Sequence, residues 1–142
     1  MSRWNSSVWL WLVVITFGCK KAPEGEPRVT TSPVSGIVLI DGEPVEMVEV
    51  KCHPEPGTSE IKYPLTASTD KDGKFSMTTY EAGDGLPEGT YTLTFQALQM
   101  GFVTQDKLRG KFSDPKKSKQ TVKSTGVKAD VVDLGTIELK TK

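Results

Sequence analysis

The sequence predicts an all-β fold: a single antiparallel β-sandwich of two sheets and about seven strands, formed by residues 34–142 after an N-terminal signal segment. Three observations predict it. Apolar and polar side chains alternate over several short stretches, as they do in strands that bury one face. Turn-forming residues, among them 13 glycines and 9 prolines, separate those stretches. No stretch has the apolar period of a long helix.

The first predicted strand covers residues 34–40 and is rich in β-branched side chains. It ends at Asp41-Gly42, a pair that is typical of two-residue hairpin turns, so we expect a paired strand to follow directly. Residues 47–53 alternate cleanly between apolar and polar side chains. This alternation predicts a strand whose core face carries Val48, Val50 and Cys52.

The middle of the domain predicts a loop and a second hairpin. Residues 54–64 contain three prolines and are expected to form a loop. Residues 65–69 alternate as a strand, and residues 70–73 (Asp-Lys-Asp-Gly) form the next turn. Phe75 and Met77 alternate with polar neighbours beyond it, so we expect this turn to pair the strands on its two sides.

The last third contains the clearest strand of the chain, residues 91–97, in which Tyr, Leu, Phe and Ala alternate with Thr and Gln. Residues 98–118 are irregular and basic. We expect a short strand near residues 120–123 and a final one over about residues 134–140.

The N-terminus has the layout of a secretory signal. Residues 8–18 carry no charge, follow a single arginine and end at a small residue, and eleven residues are too few to span a bilayer as a helix. Cys19 directly after Gly18 resembles the lipobox of bacterial lipoproteins, which implies a cut after residue 18 and a lipid on Cys19. Residues 19–33 then predict a flexible tether. The alternative is an uncleaved membrane anchor over residues 4–18.

Several stretches of the domain resemble the carboxypeptidase regulatory-like, or transthyretin-like, family of Ig-like β-sandwiches. Two more are similar to a subset found as small planctomycete lipoproteins. The first group is residues 34–38, 41–45, 68–75 and 87–93, and the second is residues 79–85 and 107–115. The resemblance implies a non-catalytic accessory fold, used as a stalk, spacer or carbohydrate-associated module. It transfers no active-site residue, because the matched positions are turns and core.

Charge argues against a nucleic-acid partner. Removal of residues 1–18 takes away one of the 18 basic side chains and none of the 18 acidic ones, which leaves 17 against 18. A nucleic-acid-binding domain is normally much more basic. We expect no cofactor.

Asp70 and Asp72, with Gly73, are candidates for a calcium loop, because Ca²⁺ prefers carboxylate and carbonyl oxygens at a tight turn. The alternative, which we favour, is a plain turn. Additional ligands would have to come from Asp41, Asp84 and Asp106.

The second cysteine and the single histidine also have structural explanations. Cys52 is expected to be a lone buried thiol, and a Cys19–Cys52 disulfide is the alternative. His53 is expected to be an exposed residue at the end of a strand, without a catalytic or metal-binding pattern around it.

Residues 107–128 carry eight basic side chains and one aspartate, whereas residues 41–60 carry six acidic side chains and one lysine. A basic surface of this kind suits anionic lipid or polyanionic glycan. The alternative is a solvated loop. The candidate binding residues are Lys107, Arg109, Lys111, Lys116 and Lys117. A sugar-stacking platform would use Tyr80, Phe102 and Phe112, and the alternative is that these aromatics pack back onto the sheet edge.

Together these features predict a membrane-tethered, non-catalytic lipoprotein of the bacterial cell envelope, periplasmic or surface-facing. We expect it to be a structural or binding module whose partners are the membrane, through its lipid, and an envelope glycan or protein. The alternatives are a calcium-dependent adhesion or carbohydrate-binding accessory module and a small envelope hydrolase. No particular ligand or oligomeric state is specified by the sequence.

Overall fold

The computed structural model describes residues 27–99, 101 and 103–142, and within them it contains β-strands and no helix. The strands are β1 (Thr31–Ser32), β2 (Val34–Ile40), β3 (Glu43–Pro44), β4 (Val48–Pro54), β5 (Leu65–Ser68), β6 (Lys74–Ser76), β7 (Leu86–Pro87), β8 (Gly89–Gln99), β9 (Gln105–Asp106), β10 (Thr121–Ser124) and β11 (Val132–Leu139). Four of these eleven are two-residue bridges, and the remaining seven match the predicted number. The all-β fold is confirmed.

The strands form two main sheets. Sheet I has the order β10-β8-β4-β5, with β9 also paired to β8, and sheet II has the order β11-β2-β3, with β6 also paired to β2. A separate ladder joins β1 to β7. Sheet I is antiparallel throughout, and its longest register runs from Val48 opposite Ala97 to Pro54 opposite Tyr91.

Sheet II departs from the purely antiparallel prediction. Its last strand, β11, pairs with β2 in parallel, from Val132 opposite Val34 to Leu139 opposite Ile40, with a register shift between Asp133 and Thr136. The physical reason is the way in which the chain reaches β11. It crosses from β10 in sheet I to β11 in sheet II, so no hairpin turn joins β11 to β2 and imposes an antiparallel direction, and β11 runs along β2 in the same direction. Alternating side chains predict a strand but not its direction relative to its neighbour.

The core lies between the two sheets and is built by the predicted alternation. In β8 the side chains of Tyr91, Leu93 and Phe95 are at most 1% exposed, while Thr92 and Gln96 on the opposite face are only half-buried. Val38 of β2 and Val50 of β4 are fully buried in the same cluster. One continuous hydrophobic core therefore holds sheets I and II together.

The two predicted hairpins have different outcomes. Asp41 and Gly42 both have positive φ, and β2 pairs with β3 across them, which confirms the first hairpin. The second prediction is wrong, since β5 pairs with β4 in sheet I and β6 pairs with β2 in sheet II. The turn at residues 70–73 is instead a corner that carries the chain between sheets.

The folded part of the chain begins before residue 34. Ser32, inside the range predicted as tether, is fully buried, and its hydroxyl bonds to both the N–H (2.9 Å) and the C=O (3.0 Å) of Val127. Its own carbonyl oxygen would lie 1.7 Å from a Cβ at position 85, so only glycine fits there. The predicted signal segment, Cys19 and the tether up to residue 26 lie outside the described residues.

We expect Phe95→Ala to lower the free energy of unfolding by about 3–5 kcal/mol, because it leaves a cavity between the sheets. Gln96→Ala, one position along the same strand on the face opposite the core, should change the free energy of unfolding by less than about 0.5 kcal/mol. Urea unfolding of both variants followed by circular dichroism measures the difference. Equal effects of the two substitutions would contradict the assignment of the core face.

Candidate functional site

The domain has two poles. At the N-terminal pole the chain enters beside the 80–89 region, where Arg28 forms an ion pair with Glu81 (2.9 Å) and the N–H of Val29 donates to the Tyr80 hydroxyl (3.3 Å). Strand β8 starts at this pole and runs about 33 Å along the sandwich, at about 3.3 Å per residue. The C-terminal pole holds the Asp41 turn and the end of the chain, since Thr141 donates to the Asp41 carboxylate.

The aspartates that might have bound a metal instead hold loops together. Asp84 accepts three backbone N–H bonds, from residues 79, 80 and 81, at 2.7–3.0 Å. Asp106 likewise accepts from the N–H groups of residues 97, 108 and 110 at 2.8–3.0 Å. The bonds from Thr141 lower the pKa of Asp41. These carboxylates therefore accept donors that would otherwise lack a partner, in their own loops and, for Asp41 and Asp106, in a neighbouring segment.

The candidate calcium ligands belong to such a turn. One Asp70 carboxylate oxygen accepts the N–H groups of Asp72 (2.8 Å) and Lys74 (3.0 Å), and the C=O of Asp70 accepts the N–H of Gly73 (2.9 Å). Among the described residues, no group of three or more histidines, cysteines, aspartates or glutamates is close enough to hold a metal ion. The fold thus does not gather Asp41, Asp84 and Asp106 around the Asp70 turn. These contacts support the turn interpretation.

We expect Asp70→Ala to lower the free energy of unfolding by about 1–2 kcal/mol, because two backbone N–H groups lose a charged acceptor. Asp72→Ala is the matched control in the same turn, and its exposed carboxylate accepts no bond there. Thermal unfolding with and without millimolar Ca²⁺ measures both effects. A calcium-dependent rise in melting temperature that Asp72→Ala removes would restore the calcium interpretation.

Cys52 is buried as predicted, and His53 is less exposed than predicted. The Cys52 sulfur lies 3.7 Å from the Met77 sulfur in the core, and burial raises the pKa of its thiol to about 12. His53 is half-buried, and its Nε2 lies 2.8 Å from the Thr94 hydroxyl across the β4–β8 ladder. Burial, with a smaller contribution from Lys51, lowers the His53 pKa and favours a neutral ring. The suggested Cys19–Cys52 disulfide involves a residue outside the described part.

In a Cys19→Ala chain, where Cys52 is the only thiol, we expect no detectable alkylation by iodoacetamide in the native state and full alkylation in guanidinium chloride. A thiol with a raised pKa and no exposure supplies almost no thiolate to react. Adding Ser68→Cys, at an exposed site on the neighbouring strand, provides a reactive control. Intact mass measures both. Fast native labelling of Cys52 would contradict its burial.

The contact between His53 and Thr94 places the single histidine of the chain beside a hydroxyl, and no pattern in the sequence pointed to it. It lacks the third group of a triad, since in the described part no carboxylate is hydrogen-bonded to the other ring nitrogen. Thr94 is 2% exposed, and neither residue lines any of five clefts found on the described part of the chain. The contact is a cross-strand hydrogen bond on sheet I.

The five basic candidates do not form one surface. Lys107 borders a cleft of about 420 Å³ at the C-terminal pole, beside Met47 and Leu98. Lys111 and Lys117 line a different cleft of about 390 Å³. Arg109, with φ of 52°, sits in the turn between them, and Lys116 is exposed.

The second of these clefts, the lysine cleft, contains the strongest grouping of candidate side chains. It is lined by Phe95, Lys111, Phe112, Lys117, Ser118, Lys119, Gln120, Glu138 and Leu139. Lys119 was not singled out from sequence, because the basic run gave no reason to prefer it over its neighbours.

The candidate aromatic side chains that the structure describes do not form one platform. Tyr80 lies at the N-terminal pole with Arg28 over its ring at 5.5 Å, whereas Phe112 lies in the lysine cleft, and Phe102 is outside the described residues. Only Phe112 is therefore placed together with the basic candidates. In the part of the chain that the structure describes, no helix is long and apolar enough to cross a membrane.

No family model and no curated protein matches the chain. Among solved structures, a 9R-lipoxygenase from Cyanothece PCC8801 is similar over 84% of this chain and 18% of its own, with 13% sequence identity and a TM-score of 0.41. The chain thus spans less than a fifth of that protein. A likeness at this level carries no argument about function.

Proposed function

We propose that this protein is a lipoprotein of the bacterial cell envelope, tethered through a lipid on Cys19, whose transthyretin-like sandwich works by binding and not by catalysis. The signal-like N-terminus and the lipobox-like Gly18-Cys19 support the tether. The use of Asp70, Asp84 and Asp106 as loop acceptors supports a domain without metal chemistry or acid–base chemistry at those carboxylates.

The observation that carries this proposal is the separation of the two poles. The chain enters at the N-terminal pole, and the basic turn around Lys107 and Arg109 lies at the other end of β8, about 33 Å away. Residues 19–26 reach at most about 28 Å when fully extended, at about 3.5 Å per residue. A tether shorter than the distance between the poles disfavours full inversion of the domain, so an orientation with the C-terminal pole away from the bilayer is preferred. The C-terminal pole is then presented to other components of the envelope.

We expect the native chain from the membrane fraction to begin at Cys19 and to carry the added mass of its acyl chains. Cys19→Ala should lack that mass and leave the membrane fraction, since two or three acyl chains supply the anchoring free energy. Intact mass and fractionation of both forms measure this. An unprocessed native chain would instead make residues 4–18 an uncleaved anchor and would overturn the proposal of a lipoprotein.

A further inference from the structure

The lysine cleft exists because a loop leaves the edge of sheet I and returns to it. The N–H of Phe95 donates to the C=O of Phe112, and the N–H of Leu93 donates to the C=O of Gln120, both within 2.9 Å. The two donors are only two residues apart in β8, whereas the two acceptors are eight residues apart in the loop. The loop residues between the acceptors must therefore bulge outward. Glu138 and Leu139 of β11, in sheet II, form the opposite wall.

The cleft is positively charged and is only partly neutralised by the protein. Three lysines, at positions 111, 117 and 119, face a single acid, Glu138. Among the described residues, Lys119 forms no ion pair, and the Lys117 ammonium comes no closer than 4.0 Å to the carboxylate of Asp114. The Lys111 ammonium donates one of its three N–H groups to the C=O of Lys140 (2.8 Å). Several ammonium donors therefore remain free for an anion.

The apolar part of the cleft suits a flat ring. Phe112 is half-buried and packs against the core, while Phe95 and Leu139 beneath it are at most 2% exposed. The Lys111 ammonium lies 5.6 Å from the Phe112 ring centroid, so a cation and an aromatic surface adjoin. A volume of about 390 Å³ lies within the range of small-molecule sites, on the order of 300–1,000 Å³.

We propose that the lysine cleft binds an acidic polysaccharide made of hexuronic acid units. One pyranose ring stacks on Phe112 through its apolar C–H face, and its carboxylate pairs with Lys117 or Lys119. This inference rests on the proposed function, since it names the ligand class of the same binding module.

The structure favours a sugar over an acidic peptide at this site. A peptide would most readily add as a strand to the free edge of β11. That edge is interrupted by the register shift between Asp133 and Thr136, where Gly135 has φ of 64°. This bulge limits the regular edge beside the cleft to residues 136–139, which is a short row of backbone groups for strand addition. Side-chain contacts in the cleft are then the available mode of recognition.

The test is the binding of oligogalacturonate to the full Cys19→Ala chain by isothermal titration calorimetry, which separates the cleft from the lipid. The variant Lys117→Glu/Lys119→Glu should weaken binding more than tenfold, which corresponds to about 1.4 kcal/mol. Lys62→Glu/Lys71→Glu makes the same charge change at exposed positions away from the cleft and should leave the affinity within about twofold at 0.15 M salt, because distant charges are screened.

Two further arms test the ring contact and the ligand class. Phe112→Leu keeps an apolar side chain but removes the flat face, and it should weaken oligogalacturonate binding while lowering the melting temperature only modestly, because leucine still packs against the core. The methyl-esterified oligomer, which has the same rings without charge, should bind much more weakly than the acid form. Polyglutamate of equal charge should also bind more weakly, because it offers no ring to Phe112.

Several results would overturn the inference. These are no measurable binding, equal losses in the two double lysine variants, or polyglutamate binding as tightly as oligogalacturonate with no effect of Phe112→Leu. The last result would assign the cleft to acidic peptides. None of them bears on the lipid, which the mass of the native chain decides separately, so failure here and failure of the proposed tether are distinguishable.

Discussion

The antiparallel pairing of β8 with β4 is the contact on which the rest of this structure depends. Its seven-residue register places Tyr91, Leu93 and Phe95 on the core face, where they pack against sheet II. A slip by one residue would move all of these side chains into solvent, which the hydrophobic effect opposes by several kcal/mol. The other edge of β8 then holds β10, β9 and the loop of the lysine cleft. The candidate site is therefore positioned by the core itself.

The acidic side chains show how a composition that suggests metal binding can serve the backbone instead. An all-β domain with long connections has many loop N–H groups without ladder partners, and each needs an acceptor. The carboxylates of Asp84 and Asp106 each accept three hydrogen bonds from backbone N–H groups, and that of Asp70 accepts two. A carboxylate saturated in this way has little capacity left for a cation. The lysines of the cleft have no comparable backbone role, apart from the bond of Lys111 to residue 140, and they are exposed.

The two proposals fit one physical picture. The chain enters at one pole, and its exposed lysines lie along the side and at the other pole. This arrangement is suited to hold a ligand away from the anchor of the protein. Phe112 adds an apolar surface to charges that would bind any polyanion weakly and without selectivity. The combination of a ring-binding surface with ammonium groups is what would give such a domain a preference for one class of envelope polymer.

The sequence by itself determined the longer strands, their buried faces and the tight turns, because these follow from neighbouring residues. Alternation at positions 48–52 and 91–97 predicted the core, including Cys52, and Asp41-Gly42 predicted the first hairpin. Only the tertiary structure decided which strands pair, and this is why β11 runs parallel to β2 and why the turn at residues 70–73 joins two sheets. The same holds for the half-burial of His53 and the grouping of Lys119 with Phe112. Pairing and side-chain grouping depend on contacts between residues far apart in the chain, and those contacts are selected by the burial of the whole core rather than by any local pattern.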